Sequence, residues 1–149
     1  MSRIKAVKNQ DKFQMAVKYL SEYAGVKGAV IADSEGLVIA QIGTEGFDAE
    51  TFCALALELS SSLDAILPRL FQPGVEYLAI KTRQDWLTVA RSAPFLLIVS
   101  AERTADELLT VRIGRALEMI SSHLKNKYPQ VITAGSNGIK AKNMEAIHV

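Results

Sequence analysis

Residues 25–43 read GVKGAVIADSEGLVIAQIG: two aliphatic runs separated by Asp33-Ser34-Glu35-Gly36. Both runs have strand character. The tetrapeptide suits a type I turn closed by a glycine bulge, because glycine tolerates the left-handed backbone on which such a turn ends. Neither run alternates. Ala29, Val30, Ile31 and Ala32, then Leu37, Val38, Ile39 and Ala40, are apolar at successive positions, although successive strand side chains face opposite sides of a sheet. A hairpin with one wet face would alternate polar and apolar residues. Apolar residues on both faces need a covering layer on each, so the stretch predicts a sheet sandwiched between helices.

Toward the N-terminus, Phe13, Ala16, Val17, Leu20, Tyr23 and Ala24 recur at helical spacing, and Gly25 ends that helix;. Past the hairpin, GTEGF (43–47) breaks the chain, and Asp48 stands where an N-cap belongs for AETFCALALELSSSLDAILPRLF (49–71), which Pro73-Gly74 stops;. Three more strands follow, VEYLAIK (75–81), WLTVAR (86–91) and FLLIVS (95–100). Their connections are too short for crossovers, which makes them an antiparallel meander with VEYLAIK as an edge. Thr104 and Glu107 have capping-box spacing and open a last helix with an apolar side of Leu108, Val111, Ala116, Ile120 and Leu124;. The helix ends near Lys127-Tyr128-Pro129, before the linker-like TAGSNG;. The expectation is an α+β fold with a five-stranded antiparallel sheet and three helices, in the order α-β-β-α-β-β-β-α. Its parts are a basic N-terminal extension at 1–10, one domain over 11–128, and a linker with a basic tail at 129–149.

A chain of 149 residues with 49% hydrophobic and 22% charged residues is an ordinary globular domain;. A net charge of +1 gives no reason to expect nucleic acid as a partner;. The charge is unevenly spread: residues 21–122 hold 14 acids and 8 bases, while both ends are basic. One cysteine, Cys53, rules out an intrachain disulfide and a clustered cysteine metal site;. The start lacks the apolar core of a signal peptide, and no apolar run approaches the roughly 20 residues that cross a bilayer. The expectation is a soluble, cytoplasmic protein that does not insert into membranes.

The middle helix has more apolar surface than one contact needs. Phe52, Leu55, Leu59, Leu63, Ile66 and Leu70 share one side at helical spacing and make a complete core-facing stripe;. The far side is a smooth strip of Cys53, Ala54, Leu57, Ser60, Ser61 and Asp64 where long charged side chains would be normal. That strip is read as a helix–helix contact between two copies of the chain. The following strand contributes Glu76, Tyr77, Leu78, Ala79 and Ile80, because only its terminal Lys81 deters edge pairing;. Catalytic groups do not converge. His123 and His148 have no partner at metal-ligand spacing, Cys53 has no nearby histidine, and there is no phosphate-loop motif;. No catalytic residue, metal or cofactor is expected. Binding is the default.

Taken together, GAVIADSEGLVIA, FDAETFCALALELSSSLDAIL, the meander ending FLLIVS, and LLTVRIGRALEMI with its Val111-Arg112 pair resemble the roadblock family over roughly residues 11–127. That family includes dynein light chains and the MglB-type regulators of Ras-like GTPases, and its architecture is profilin-like. The resemblance implies homodimers or heterodimers that share one sheet across two subunits. It also implies a platform of paired middle helices on which a small GTPase sits while its hydrolysis is modulated. Carried across, the platform positions are Ala54, Leu57, Glu58, Ser61, Ala65 and Arg69. Two departures stand out: Glu107-Leu108 where relatives often have glycine, and LALELSSS, which lacks a glycine found in some GTPase regulators. Two other readings accompany this one. The first is an adaptor that binds peptides or other roadblock-type chains without touching nucleotide turnover. The second is a small-molecule sensor with a pocket between sheet and helix.

Overall fold

The structure, a computed structural model, describes residues 2–71 and 76–127. The TAGSNG linker, the basic tail with His148, and the Pro73-Gly74 stop lie outside the described residues. Helix α1 (Ser2–Ser21) leads through Gly25, at φ +94°, into strands β1 (Val26–Asp33) and β2 (Val38–Gly43). Helix α2 (Ala49–Ile66) continues as a 3-10 turn at Leu67–Arg69. Strands β3 (Tyr77–Lys81), β4 (Asp85–Ser92) and β5 (Phe95–Glu102) precede helix α3 (Leu109–Lys127). Helix α1 runs back through the stretch expected as an N-terminal extension. The strands form one antiparallel sheet in the order β2-β1-β5-β4-β3, so the connection through α2 carries the chain from one edge to the other.

The sheet is sandwiched as the opening hairpin requires. Ala29 and Ile31 of β1, with Leu97 and Val99 of β5, meet α1 and α3 through Val17, Leu20, Ile113 and Ile120. The intervening Val30, Ala32, Leu96 and Ile98 face α2. The turn forms as predicted: Gly36 has φ +93°, and Asp33 Oδ1 accepts from the amides of Glu35 and Leu37, both at 2.9 Å. The pairing slips at Ile31/Ala32, and Ile39 and Ala40 both end against the α1 side. That bulge explains why β2 does not alternate. Leu37, in contrast, is left exposed.

Helix α3 departs from its expected start. Asp106 does the capping, with the Leu108 amide on Asp106 Oδ1 and the Leu109 amide on Asp106 O, both at 2.9 Å. Glu107 instead reaches Lys81 at 2.5 Å, so no Thr104–Glu107 capping box closes. The helix therefore turns Leu109, Ile113, Ala116, Ile120 and Leu124 inward and leaves Leu108 and Val111 exposed. Arg112 fastens α3 to α1: its Nε donates to the Tyr19 carbonyl at 2.8 Å, and its guanidinium lies 3.9 Å from the Tyr19 ring centroid.

Candidate interaction surface

Helix α2 opens on Asp48, whose carboxylate accepts from the Thr51 hydroxyl at 2.6 Å and the Thr51 amide at 3.2 Å. The hydroxyl first, and then the amide, hold the Asp48 carboxyl below its usual range by favouring the charged form;. Just before it, the Phe47 ring lies flat on the paired Gly28 and Gly43, where any β-carbon would collide with it. Phe47 in turn packs on Phe52, with ring centroids 4.9 Å apart. These contacts anchor the first turn of α2 over β1 and β2.

The face of α2 on the sheet is Ala49, Cys53, Ala56 and Ser60. This reverses the orientation read from periodicity. The strands already present bulky Val30, Val89, Leu96 and Ile98 to this side. At interior packing density, small residues must oppose them, and the helix settles close to the sheet. Cys53, only 1% exposed, donates its thiol to the Gly36 carbonyl at 3.4 Å, and burial raises its pKa. Cys53 and Ser60 are therefore core residues of their own subunit, not part of an outward strip. Leu57 and Leu78, from half-buried positions, also lean on that core.

Apart from Phe52, which packs against the core on this side of the sheet, the expected core stripe is exposed or only half covered. Leu55 and Ile66 are 59% and 57% exposed, Leu59 and Leu63 are half-buried, and Leu70 and Phe71 beyond the 3-10 turn are 73% and 67% exposed. On the same side of the sheet, Leu78 and Ile80 of β3 and Leu87 of β4 are only half covered. Strand β3 is an edge bonded to β4 alone, with Tyr77, Ala79 and Lys81 exposed and Glu76 exposed just before it. By length and composition Ala49–Arg69 is apolar enough to cross a bilayer, contrary to the reading that no run approached that length. Its small face serves the sheet, while Leu55 and Ile66 stay exposed.

The residues expected at interfaces thus separate. Ala54, Glu58, Ser61, Ala65 and Arg69 are exposed on α2 and its 3-10 turn. Asp64 is tied to Arg91 of β4 by two hydrogen bonds of 2.9 and 3.3 Å. That ion pair closes one end of a cleft of about 490 Å³ between α2 and the β4–β5 turn, lined by Leu57, Ser60, Ser61, Pro94 and Leu96 among others. What sequence reasoning missed is the outward role of Leu55, Leu59, Leu63 and Ile66. The signal available was the bulk of the strands opposite α2.

A family model described as the Roadblock/LC7 domain matches residues 12–101. No curated protein matches the chain. Among solved structures, MglB of Myxococcus xanthus aligns with a TM-score of 0.72 at 16% identity, over 78% of this chain and 90% of that one. The Roadblock/LC7 domain from Streptomyces avermitilis aligns with a TM-score of 0.66 at 22% identity, over 74% of this chain and 96% of the other. An MglB described as having a tetrameric arrangement aligns at 0.69 and 16% identity, over 79% and 91%. At these identities the likeness is one of fold.

Proposed function

Because the chain belongs to the Roadblock/LC7 domain family, we propose that it is a self-associating, non-enzymatic regulator whose paired α2 helices receive a Ras-like small GTPase and modulate its hydrolysis. The observation that carries this reading is the incompletely covered aliphatic flank of α2, with Leu55 and Ile66 exposed and Leu59 and Leu63 half-buried, on the same side of the sheet as the half-covered residues of the free β3 edge. A second copy related by a two-fold axis would cover both features at once, helix on helix and strand beside strand. The tetrameric arrangement described for one similar MglB supports self-association. Pairing on the leucine flank would leave Ala54, Glu58, Ser61 and Ala65 outside it, a small and acidic platform.

In this reading the protein supplies no reacting group. It acts by ordering the GTPase's own residues. Light scattering at micromolar protein should return the mass of two chains, and a single-chain mass would remove the paired platform. Phosphate release by the small GTPase encoded nearest this gene should then change rate on addition of the protein. Failure to bind that GTPase in either nucleotide state would overturn the GTPase reading.

A further inference from the structure

The sheet separates two helical layers of opposite charge. Among the described side chains of α1 and α3 there are five bases, Lys12, Lys18, Arg112, Arg115 and Lys125, against one acid, Glu118, whereas Ala49–Ile66 has three acids and no base. On the basic side, residues of α1 and α3 line a groove of about 480 Å³. Lys12, Arg115 and Glu118 line it with Met15 and Met119, and His123 borders it with its ring edge-on to Phe13, centroids 4.9 Å apart. The ion pairs among the described residues use Lys27, Lys81, Arg91 and Arg112. Lys12 and Arg115 take part in none of them.

We propose that this α1–α3 groove is a second docking site, on the face away from α2, for an acidic peptide segment that carries an aliphatic anchor. Charge complementarity selects the occupant: carboxylates on the incoming segment would meet Lys12 and Arg115, which form no ion pair with an acid among the described residues. The methionines select its form. Unbranched, polarisable thioether side chains adapt to an inserted aliphatic side chain, as they do on surfaces that bind helical or extended peptides. A bilayer would match the charge but presents a flat anionic surface, which cannot fill a concavity rimmed by Glu118. Such a site would let the α2 platform and a recruiting partner be engaged together.

The probe is a fluorescein-labelled synthetic peptide with a Leu-Leu pair flanked on each side by glutamates, tested by anisotropy on the full-length protein. Binding should weaken at least about tenfold with the double charge reversal Lys12→Glu/Arg115→Glu, and should weaken as salt is raised. Both residues are exposed, and circular dichroism checks the fold of the variant. With methyl-labelled methionine, the Met15 and Met119 resonances should move on peptide addition. Equal affinity for the reversed variant, or peptide binding that leaves the Met15 and Met119 resonances unmoved, would overturn the proposal. So would sedimentation with phosphatidylserine vesicles in the absence of peptide binding, which would assign the face to a membrane. Self-assembly that the double reversal abolishes, without peptide binding, would assign it to a second copy.

Discussion

Phe47 shows how a single contact orients an element. Its ring occupies the space that β-carbons at Gly28 and Gly43 would need, and a β-carbon at Gly28 would come within 2.6 Å of it. Gly28→Ala should therefore lower stability by about 1–3 kcal/mol, the usual cost of overpacking. Adding Phe47→Leu should recover part of that loss, and a urea double-mutant cycle would read the coupling. Asp48 carries a pH signature. Its folded pKa lies below the unfolded one, so its stabilisation is complete above the unfolded carboxylate's pKa and is lost as pH falls through the folded value;. The gap in urea midpoint between wild type and Asp48→Ala should hold from neutral pH down to about 4 and narrow below it. The glycine turn at Asp33–Gly36 and the Asp48 cap were both legible in the sequence, because each is chemistry within five residues. The Thr104–Glu107 box was not, since Lys81 from a distant strand engages Glu107.

For α2, periodicity located the helix and its two sides but assigned them the wrong way round. Hydrophobicity ranks a leucine stripe above a strip of alanine, cysteine and serine, yet the sheet opposite was already full. The consequence is testable. Leu55→Glu, at an exposed position, should abolish self-association and leave a folded single chain, by sedimentation and circular dichroism. Ala56→Glu should unfold the protein, because a lone carboxylate would be forced into the sheet contact. Leu57, half-buried against Gly36, is a poor site for such a test, as its loss would weaken the monomer too. Between α1 and α3 the fastening residue is Arg112, with a hydrogen bond to Tyr19 and ring contacts to Tyr19 and Tyr23. Arg112→Lys keeps the charge but loses the planar stacking and the aligned donor, so it should cost about 1–2 kcal/mol in denaturant melts.

At the scale of the whole molecule, stability should grade outward from the β1–β5 pair, which is buried on both faces, toward the edges. Amide hydrogen exchange should be slowest in β1 and β5. Raising the protein concentration should slow exchange in β3 as copies pair and leave β2 unchanged; protection of β2 instead would move the contact to the opposite edge. The sequence alone determined the element order, the antiparallel meander and the need for a helical layer on each face, because strand and helix periods, turn residues and short connections are local. Only the tertiary structure decided which flank of α2 is inside. That choice depends on the volumes of Val30, Val89, Leu96 and Ile98, brought together from three strands, and no local pattern holds that sum.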